Sequence, residues 1–371
     1  MLKSRYLMIG GFLGAGNTTA ILQLAKKLRD QGTSVGLITN DQSIGLVDTQ
    51  MLRQHGFETE EITGGCFCCR FNSLLQASEN LSAETRPSVF VAEPVGSCTD
   101  LRATVSYPLQ KIYGDRFAIA PLSVVLDPNR TRRIFGLESG KTFSPKVVYI
   151  FKKQIEEADI LVINKCDIMQ PDALDALQVE LEREFPGKTI VRISARTGEG
   201  LDAWLAMLLD HEGKMVETME VDYDEYAEGE ALLGWLNVSA QLSGSEFDGN
   251  RFLLDLAGRV RSELEAQEIE IAHFKMTLSP NTGEDLAVGN LVRTAGELEL
   301  SHELAEPLEE GELFVNLRAE GAPDALRSTI QSVLTDYAKS RGLQIIWGHV
   351  EAFRPGRPVP THRVTVGAGH S

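Results

Sequence analysis

Short apolar runs alternate with amphipathic stretches through the first 210 residues of the chain. The runs that we predict as strands are residues 6–9, 34–39, 88–92, 123–126, 160–163 and 189–193. Two stretches between them, 18–29 and 173–185, repeat apolar residues at the period of an amphipathic helix. Strands that alternate with helices are typical of βαβ units, so we predict an α/β domain around a mostly parallel sheet.

The pattern changes after residue 210, because residues 212–230 carry eight acidic side chains and one lysine and show no apolar period. Such a stretch is typical of a solvated linker. Beyond it, we predict strands at 232–242, 269–277, 286–294, 313–317 and 343–350, and helices at 249–266 and around 326–337. We therefore expect an α/β domain over 1–210, an acidic linker over 211–230, a smaller α+β domain over 231–353 and an extended tail over 354–371.

Charge and composition narrow the classes of partner. The chain carries 36 Lys and Arg against 53 Asp and Glu, a net charge of −17, which repels a polyanionic backbone. We therefore expect no nucleic-acid partner. The sequence contains no apolar run of ~18 or more residues, the length of a membrane-spanning helix, and no separate signal peptide before the first strand. We expect a cytoplasmic protein without a membrane partner.

The segment from Gly11 to Thr19 has the spacing of a phosphate-binding loop between a predicted strand and a predicted helix. Its glycines let backbone N–H groups close around phosphate oxygens, and the positive helix end adds to the attraction. Asn17 stands where this motif has a lysine, so we expect weaker binding and slower hydrolysis. The alternative is a glycine-rich turn that binds nothing. The candidate nucleotide-binding residues are Gly11, Gly14, Ala15, Gly16, Asn17, Thr18 and Thr19, with the Thr18 hydroxyl also a candidate magnesium ligand.

A second motif, Asn164-Lys165-Cys166-Asp167, follows an apolar run at the edge where open parallel sheets present ligand-binding loops. The carboxylate of Asp167 can accept both N–H groups on one edge of guanine, which adenine cannot match, and the stem of Lys165 can cover the ring. After the next strand, a backbone N–H of Ser194-Ala195 can meet the guanine oxygen. The sequence thus predicts a guanine reader built from Asn164, Lys165, Asp167, Ser194 and Ala195.

Three cysteines, Cys66, Cys68 and Cys69, fall within four residues after a glycine pair. Soft thiolates suit Zn²⁺ or another thiophilic divalent metal, and three ligands leave one position open, so that such a site can take up and release metal. Small buried cysteines are the alternative interpretation. We interpret the remaining two cysteines, Cys98 and Cys166, as core or incidental thiols.

Two carboxylates stand at the ends of predicted strands. Asp41 follows the second strand, and Glu93 follows the third. In a nucleotide-binding sheet, Mg²⁺ and the attacking water lie at this edge. Both residues are therefore candidate catalytic groups, and Asp41 is a candidate magnesium ligand, with helix capping as the alternative for Asp41.

In this order, the phosphate loop, the Gly-Gly-Cys-Phe-Cys-Cys element, the Glu93-Pro94-Val95-Gly96 segment and the guanine motif resemble the CobW-type metallochaperone GTPases, relatives of the nickel-insertion GTPases of urease and hydrogenase maturation. The resemblance covers the first 210 residues. It implies a P-loop domain that binds GTP or GDP and couples the nucleotide to a metal held for a client metalloprotein. By position, it implies Cys66, Cys68 and Cys69 as metal ligands, Thr18 and Asp41 as magnesium ligands, Glu93 in the second switch, and Asn164 and Asp167 as guanine contacts.

Three functions remain open at this stage. All four motifs favour a GTP-hydrolysing metal chaperone or insertase. Asn17 favours a GTP-binding regulatory scaffold with impaired hydrolysis, and the cysteines alone favour a zinc-buffering module. We expect GTP or GDP, Mg²⁺ and Zn²⁺ as ligands and an unidentified client metalloprotein as partner, and we leave a homodimer open.

Overall fold

Parallel pairing of the apolar runs builds the first half of the molecule. The structure, a computed structural model, describes residues 3–40, 49, 52–53, 55–283 and 285–367. Its eight-stranded sheet contains β1 (Ser4–Gly11), β2 (Val35–Asn40), β3 (Thr59–Ile62), β4 (Val89–Glu93), β5 (Phe117–Ile119), β6 (Ser123–Leu126), β7 (Ile160–Ile163) and β8 (Thr189–Arg192). The strands lie in the order β3-β2-β4-β1-β6-β7-β8, with β5 beside β1, and the recorded pairings are all parallel. The predicted fold class is confirmed.

Helices connect these strands and cover the sheet. They are α1 (Asn17–Asp30), α2 (Phe71–Glu84), α3 (Tyr107–Tyr113), α4 (Pro128–Ile134), α5 (Pro145–Glu157), α6 (Pro171–Glu184), α7 (Leu201–Asp210) and α8 (Tyr223–Leu232). The strands β6 and β7 are buried at every position, so both of their faces are covered. The apolar face of α1, predicted from its period, is buried at Ile21, Leu24 and Leu28.

Some elements are not predicted by the sequence pattern, for identifiable reasons. The short strand β3 carries two adjacent glutamates, Glu60 and Glu61, and is the last strand at its end of the sheet order, where charge is tolerated. The helix α8 lies in the acidic stretch that has no apolar period. It is held by Tyr226, which is fully buried and whose hydroxyl accepts the Thr99 N–H at 3.2 Å. Tertiary packing thus forms a helix where periodicity indicates none.

The chain divides into two compact units. The first unit comprises residues 1–227 and 357–371, and the inserted unit comprises residues 228–356. The inserted unit contains a six-stranded antiparallel sheet with the order β12-β11-β10-β13-β9-β14. Its elements are β9 (Leu233–Phe247), α9 (Gly249–Ala266), β10 (Glu270–Pro280), β11 (Ala287–Leu291), β12 (Glu299–His302), β13 (Leu308–Glu320), α10 (Pro323–Ser340) and β14 (Gln344–Phe353).

The core of the inserted unit lies between its two helices and its sheet. Phe252, Leu256 and Val260 of α9 are buried with Phe274 and Met276 of β10 in one apolar cluster. The start of α9 is capped by the side chain of the preceding aspartate, as expected for a helix N-terminus. The predicted α+β character of this region is confirmed. Within the described residues, no helix combines the length and the apolar character that crossing a membrane requires.

A fully buried carboxylate closes the end of α5. Glu157 accepts the Arg102 N–H at 3.1 Å and the Thr99 hydroxyl at 3.2 Å. Burial raises the pKa of Glu157 to about 8, because the charged form loses its hydration. The folded protein therefore binds a proton at this site that the unfolded chain releases near pH 4.5.

We expect Glu157→Gln to flatten the pH dependence of stability. Because the folded pKa lies above the unfolded value, the stabilisation is complete below pH ~4.5 and is lost as the pH rises towards 8. The amide carries no titrating proton, so between pH 6 and 8.5 the variant should gain about 2–3 kcal/mol relative to the wild type. Urea unfolding at both pH values measures the difference. The variant Glu156→Gln, at the neighbouring half-exposed position, is the control, and equal pH slopes for all three proteins would refute the prediction.

Candidate functional site

The loop after β1 has the conformation of a phosphate cradle. Gly14 and Gly16 adopt φ values of 79° and 93°, in the left-handed region that favours glycine. A Cβ at Gly11 would lie 2.4 Å from the carbonyl oxygen of Val125, so only glycine fits there. The Ala15 N–H donates to the Phe12 carbonyl at 3.0 Å, which tightens the loop before α1 begins. The predicted strand, loop and helix are therefore present, and a helix N-terminus of this kind attracts phosphate.

The buried side chain of Asn17 is turned onto its own loop. Its Nδ2 donates to the Gly11 carbonyl at 2.9 Å, and its Oδ1 has no hydrogen-bond partner among the described residues. The next residues along α1 differ in exposure: Thr18 is half-buried, and Thr19 is exposed. An amide held in this way braces the loop but supplies no positive charge to a phosphate.

A hydroxyl and a carboxylate meet beside the loop. The Thr18 Oγ1 donates to Glu93 Oε1 at 2.9 Å. This contact forms because β4, which ends at Glu93, pairs with β1, which leads into the loop. A threonine hydroxyl next to a carboxylate matches the oxygen ligands that Mg²⁺ prefers. Asp41, the other predicted magnesium ligand, lies outside the described residues.

Asn164 joins the two predicted nucleotide motifs. Its Nδ2 donates to the Ala15 carbonyl at 3.0 Å, and its Oδ1 accepts the Ala195 N–H at 3.0 Å. The neighbouring Ser194 is fully buried, and its hydroxyl accepts the Thr197 N–H at 3.1 Å. The phosphate loop and the Ser194-Ala195 turn are thus fixed to one side chain. The two backbone N–H groups of the turn, predicted to meet the guanine oxygen, bond here to Asn164 and to the Glu199 carbonyl.

Lys165 and Asp167 lie on either side of the same turn. Lys165 adopts φ 58°, and its Nζ contacts the Gly14 carbonyl at 3.1 Å and Asp127 Oδ2 at 2.7 Å. Burial alone would raise the pKa of Asp127, but Lys165 and Arg130 outweigh it and hold that pKa below its usual range. The carboxylate of Asp167 stays partly open to solvent and lies 3.7 Å from a guanidinium nitrogen of Arg196.

The three predicted metal ligands converge. The sulfur of Cys66 lies 2.8 Å from that of Cys68 and 3.0 Å from that of Cys69, and the last two sulfurs are 3.7 Å apart. A tight turn produces this convergence, since the N–H groups of Cys69 and Arg70 both bond to the Cys66 carbonyl. All the cysteines are free thiols, so no disulfide competes with metal.

The three thiols share protons. Hydrogen bonds to Cys68, Cys69 and Cys98 hold the pKa of the Cys66 thiol far below its ordinary value. The same contact with Cys66, together with burial, raises the pKa of Cys68 and brings that of Cys69 to about 11. A divalent cation can replace these protons, and Zn–S bonds of ~2.3 Å in a tetrahedron separate sulfurs by roughly 3.8 Å. The donor set therefore fits a thiophilic metal after the two shorter S···S distances widen.

The C-terminal segment 357–367, which we call the strap, lies against the cysteine loop. The Val359 N–H donates to Cys69 Sγ at 3.3 Å. Thr361 adds two bonds, from its N–H to the Cys68 carbonyl at 2.8 Å and from its hydroxyl to the Cys69 carbonyl at 3.1 Å. The strap thus covers part of the loop and supplies a donor to one sulfur.

Two further contacts anchor the strap. The guanidinium of Arg363 lies 2.7 Å from the buried carboxylate of Asp100, which also accepts the Tyr223 hydroxyl at 2.6 Å. The ring of His362 packs edge-on against Phe71, the first residue of α2, with the centroids 5.0 Å apart. Residues 357–367 of the tail, which was predicted as extended, are therefore packed along the first unit.

Comparison with known proteins decides the family. Residues 5–192 match the model of the CobW/HypB/UreG nucleotide-binding domain, which is more than half of the chain. The chain belongs to the CobW/HypB/UreG family. The resemblance inferred from the motifs is thereby confirmed, and the loop, the guanine motif and the cysteine turn all lie inside the matched range.

Two zinc chaperones are similar in sequence to part of this chain. The zinc chaperone CobW of a Sinorhizobium species is 28% identical over 211 residues, which is 52% of this chain and 59% of that protein. The zinc chaperone YeiR of Escherichia coli is 28% identical over 183 residues, or 47% of this chain and 50% of that protein. The chain therefore spans less than two thirds of either relative.

One solved structure similar to this chain is the Zn(II)-bound YjiA GTPase of E. coli. It is 16% identical with a TM-score of 0.40, and the match covers 90% of this chain and 99% of that chain. HypB of Helicobacter pylori in complex with nickel is 15% identical with a TM-score of 0.42, over 57% of this chain and 90% of that chain.

Sequence reasoning missed three contributors to the CobW/HypB/UreG-type site. Asp127 directly follows β6 and binds Lys165. Its place at the end of a predicted strand is the sequence signal by which it could have been recognised. Arg130, in the next turn, hydrogen-bonds to the carbonyl of Leu13 in the phosphate loop. Cys98, interpreted from the sequence as a core or incidental thiol, is a hydrogen-bonding partner of Cys66. The sequence signal that could have pointed to Cys98 is its position five residues after Glu93.

Proposed function

We propose that this chain is a GTP-dependent zinc chaperone, which holds Zn²⁺ at Cys66, Cys68 and Cys69 and passes it to a client metalloprotein. The observation that carries the proposal is the convergence of three reduced thiols within 3.7 Å in a chain whose nucleotide motifs are assembled. Zinc is favoured over other thiophilic metals because two relatives are named zinc chaperones. Zinc is the cargo in this scheme.

The nucleotide would lie along the loop before α1, with its base at the turn of Asn164 to Asp167. Backbone N–H groups of the loop would bind the phosphates, and Thr18 would ligate Mg²⁺ together with Asp41, as the family resemblance implies. When bound, Mg²⁺ neutralises part of the phosphate charge. Glu93, in hydrogen-bond contact with Thr18, would orient the water that attacks the γ-phosphorus. The new P–O bond forms as the bond to the β-phosphate oxygen breaks, which releases GDP and phosphate.

We expect Asn17→Lys to raise the kcat for GTP by about one to three decades. A cation at this position stabilises negative charge that develops on the phosphates, and charge-assisted hydrogen bonds are roughly twice as strong as neutral ones. The corresponding gain of about 2–4 kcal/mol falls mainly on the transition state, so GDP affinity should change less. Steady-state phosphate release and GDP calorimetry measure the two effects.

The control is Asn17→Gln, which lengthens the amide without adding charge and should leave kcat near the wild-type value. If the wild type hydrolyses GTP as fast as the lysine variant, another cation already serves the phosphates. If neither protein hydrolyses GTP, the GTP-binding scaffold becomes the better proposal. The buried, loop-braced amide of Asn17 is the observation that favours this second candidate.

The proposed function is tested by the dependence of zinc affinity on nucleotide state. We expect the zinc dissociation constant, measured by competition with a chromophoric chelator, to differ about tenfold or more between the GDP complex and the complex with a non-hydrolysable GTP analogue. By thermodynamic reciprocity, zinc should shift the relative affinities of the two nucleotides by the same factor. Tight zinc binding that is identical in both complexes would instead indicate a zinc-buffering module.

A further inference from the structure

The amide of Asn40 joins the end of β2 to the loop that leads into the cysteines. Its Nδ2 donates to the Ile62 carbonyl at 3.0 Å and to the Gly65 carbonyl at 2.8 Å. Since Gly65 directly precedes Cys66, the second bond holds the peptide group that links the loop to the first cysteine. The Asn40 side chain is 8% exposed, and hydrogen bonds shielded from water in this way are strong. The start of the cysteine turn is therefore tied to a strand of the sheet.

The loop before Cys66 depends on side chains for its shape. Gly64 and Gly65 adopt φ values of 73° and 151°, in a region that favours glycine. The guanidinium of Arg70 holds the Gly64 carbonyl, with Nε at 3.2 Å and Nη2 at 3.1 Å. Arg70 belongs to the cysteine turn itself, because its N–H bonds to the Cys66 carbonyl. Asn40, in contrast, comes from the sheet, so it can pass a movement of the sheet to the turn.

The same end of β2 is paired with the nucleotide side of the site. The strand β2 lies between β3 and β4 in the sheet, and Thr39, the residue before Asn40, pairs with Glu93 of β4. Glu93 in turn accepts the Thr18 hydroxyl of the phosphate loop. Along the chain, Asn40 is followed by Asp41, the predicted magnesium ligand. Asn40 thus stands between the groups proposed to sense the nucleotide and the loop that carries the cysteines.

Cys66 is the cysteine that must move most when zinc binds. Its sulfur lies 2.8 Å from that of Cys68 and 3.0 Å from that of Cys69, whereas the last two sulfurs are 3.7 Å apart. Tetrahedral zinc separates its sulfur ligands by roughly 3.8 Å, so Cys68 and Cys69 already have this spacing. Cys66 has to retreat from both by about 1 Å. The peptide group that Asn40 holds is the one that positions this residue.

Asn40 acts on the loop through its donors alone. Both of its partners are carbonyl oxygens, which only the NH₂ group of the amide can bond, so the orientation of the amide is fixed. Its Oδ1 is buried and has no hydrogen-bond partner among the described residues. A substitution that removes the two donors and keeps the volume of the side chain therefore isolates this contact.

We propose that Asn40 is a positioning residue that transmits the nucleotide state to the zinc site, because its two bonds make the peptide between Gly65 and Cys66 move with the end of β2. This inference rests on the proposed function. Hydrogen-bond networks between rigid elements can carry the coupling between two sites. A shift of the end of β2 changes the spacing of the Cys66 sulfur from the other two, and with it the affinity for zinc.

The test replaces Asn40 with leucine, which has a similar volume and no donor, in the full chain. The zinc dissociation constant is measured by chelator competition in the GDP complex and in the complex with a non-hydrolysable GTP analogue. We expect the ratio of the two constants, about tenfold or more in the wild type, to fall to about threefold or less in Asn40→Leu. Asn40→Ala should give the same ratio, which guards against a packing defect specific to leucine.

The matched control is Asn250→Leu in the inserted unit. It removes two bonds between a half-buried amide and the backbone of Leu304, and it should keep the wild-type ratio. GDP affinity of both Asn40 variants should stay near the wild-type value, which verifies that the nucleotide domain is folded. By reciprocity, the effect of zinc on the relative affinities of the two nucleotides should fall by the same factor as the zinc ratio.

The ratio separates transmission from a purely structural role. If the Asn40 variants bind zinc more weakly by the same factor in both complexes, or bind it as the wild type does, the ratio is unchanged. In either case this inference is wrong, while a wild-type ratio of about tenfold leaves the proposed function standing. If the wild type binds zinc equally in both complexes, the proposed function fails and the inference fails with it.

Discussion

Replacement of Cys66, Cys68 and Cys69 together by serine is expected to lower the zinc affinity of the chain by about four orders of magnitude or more. Thiolate-rich zinc sites bind with roughly 10–16 kcal/mol at neutral pH, and most of that energy comes from the deprotonated sulfurs. A serine hydroxyl stays protonated at neutral pH and is a poor ligand for zinc. At ~1.4 kcal/mol per decade, loss of three ligands exceeds any compensation by the remaining thiols.

Competition with a chromophoric chelator under anaerobic conditions measures this effect, with Cys166→Ser as the thiol control. Since protons compete for the sulfurs, wild-type affinity should also weaken as the pH falls, with a slope that the triple variant lacks. GDP binding should be retained by the variant, because the nucleotide contacts lie on other loops. Unchanged zinc stoichiometry and affinity in the triple variant would rule out the cysteine site.

The second large effect is expected on the selectivity of the nucleotide site for guanine over adenine. Wild-type protein should bind GDP about a thousandfold or more tightly than ADP, because a site built for paired hydrogen bonds is left unsatisfied by the wrong base. The Asp167 carboxylate is the only group proposed to accept both N–H groups of guanine, and Asn164 positions the turn through bonds to Ala15 and Ala195. Asp167→Ala should therefore reduce the preference to about tenfold or less, mainly through loss of GDP affinity.

Calorimetric titration with GDP and with ADP gives the ratio directly. The matched control is Asp172→Ala, an exposed carboxylate in the first turn of α6, which should keep the wild-type ratio. Equal affinities of the wild type for GDP and ADP would show that the chain does not select guanine and would refute the guanine-reader assignment. Retention of the full preference by Asp167→Ala would show that another group reads the base.

The sequence predicts most of the fold because periodicity reports burial. All six strands predicted in the first 210 residues are present, as are the helices at α1 and α6. Most of them bury apolar side chains along one face or throughout, which is the pattern that periodicity detects. The strand β5 has only three residues, too few to show a period, and α8 depends on packing of Tyr226. Elements that depend on tertiary contacts are the ones that pattern analysis misses.

In the candidate site, too, features that are local in sequence were predicted and contacts between distant residues were not. The glycine loop, the guanine motif and the cysteine turn are local in sequence, so their spacing could be recognised. The bond between Val359 and Cys69 spans 290 residues, and the ion pair of Arg363 with Asp100 spans 263. No local pattern marks partners so far apart. Cys98 was missed for a related reason, since one isolated cysteine has no spacing to interpret until the fold brings it to Cys66.

X-ray absorption at the zinc edge is the most direct test of whether this chain carries zinc on its cysteines. The protein loaded with one Zn²⁺ per chain should show a shell of three sulfurs at ~2.3 Å, and the shell should be lost when Cys66, Cys68 and Cys69 are replaced. A first shell made only of nitrogen and oxygen at ~2.0–2.2 Å would contradict zinc carriage by these thiols.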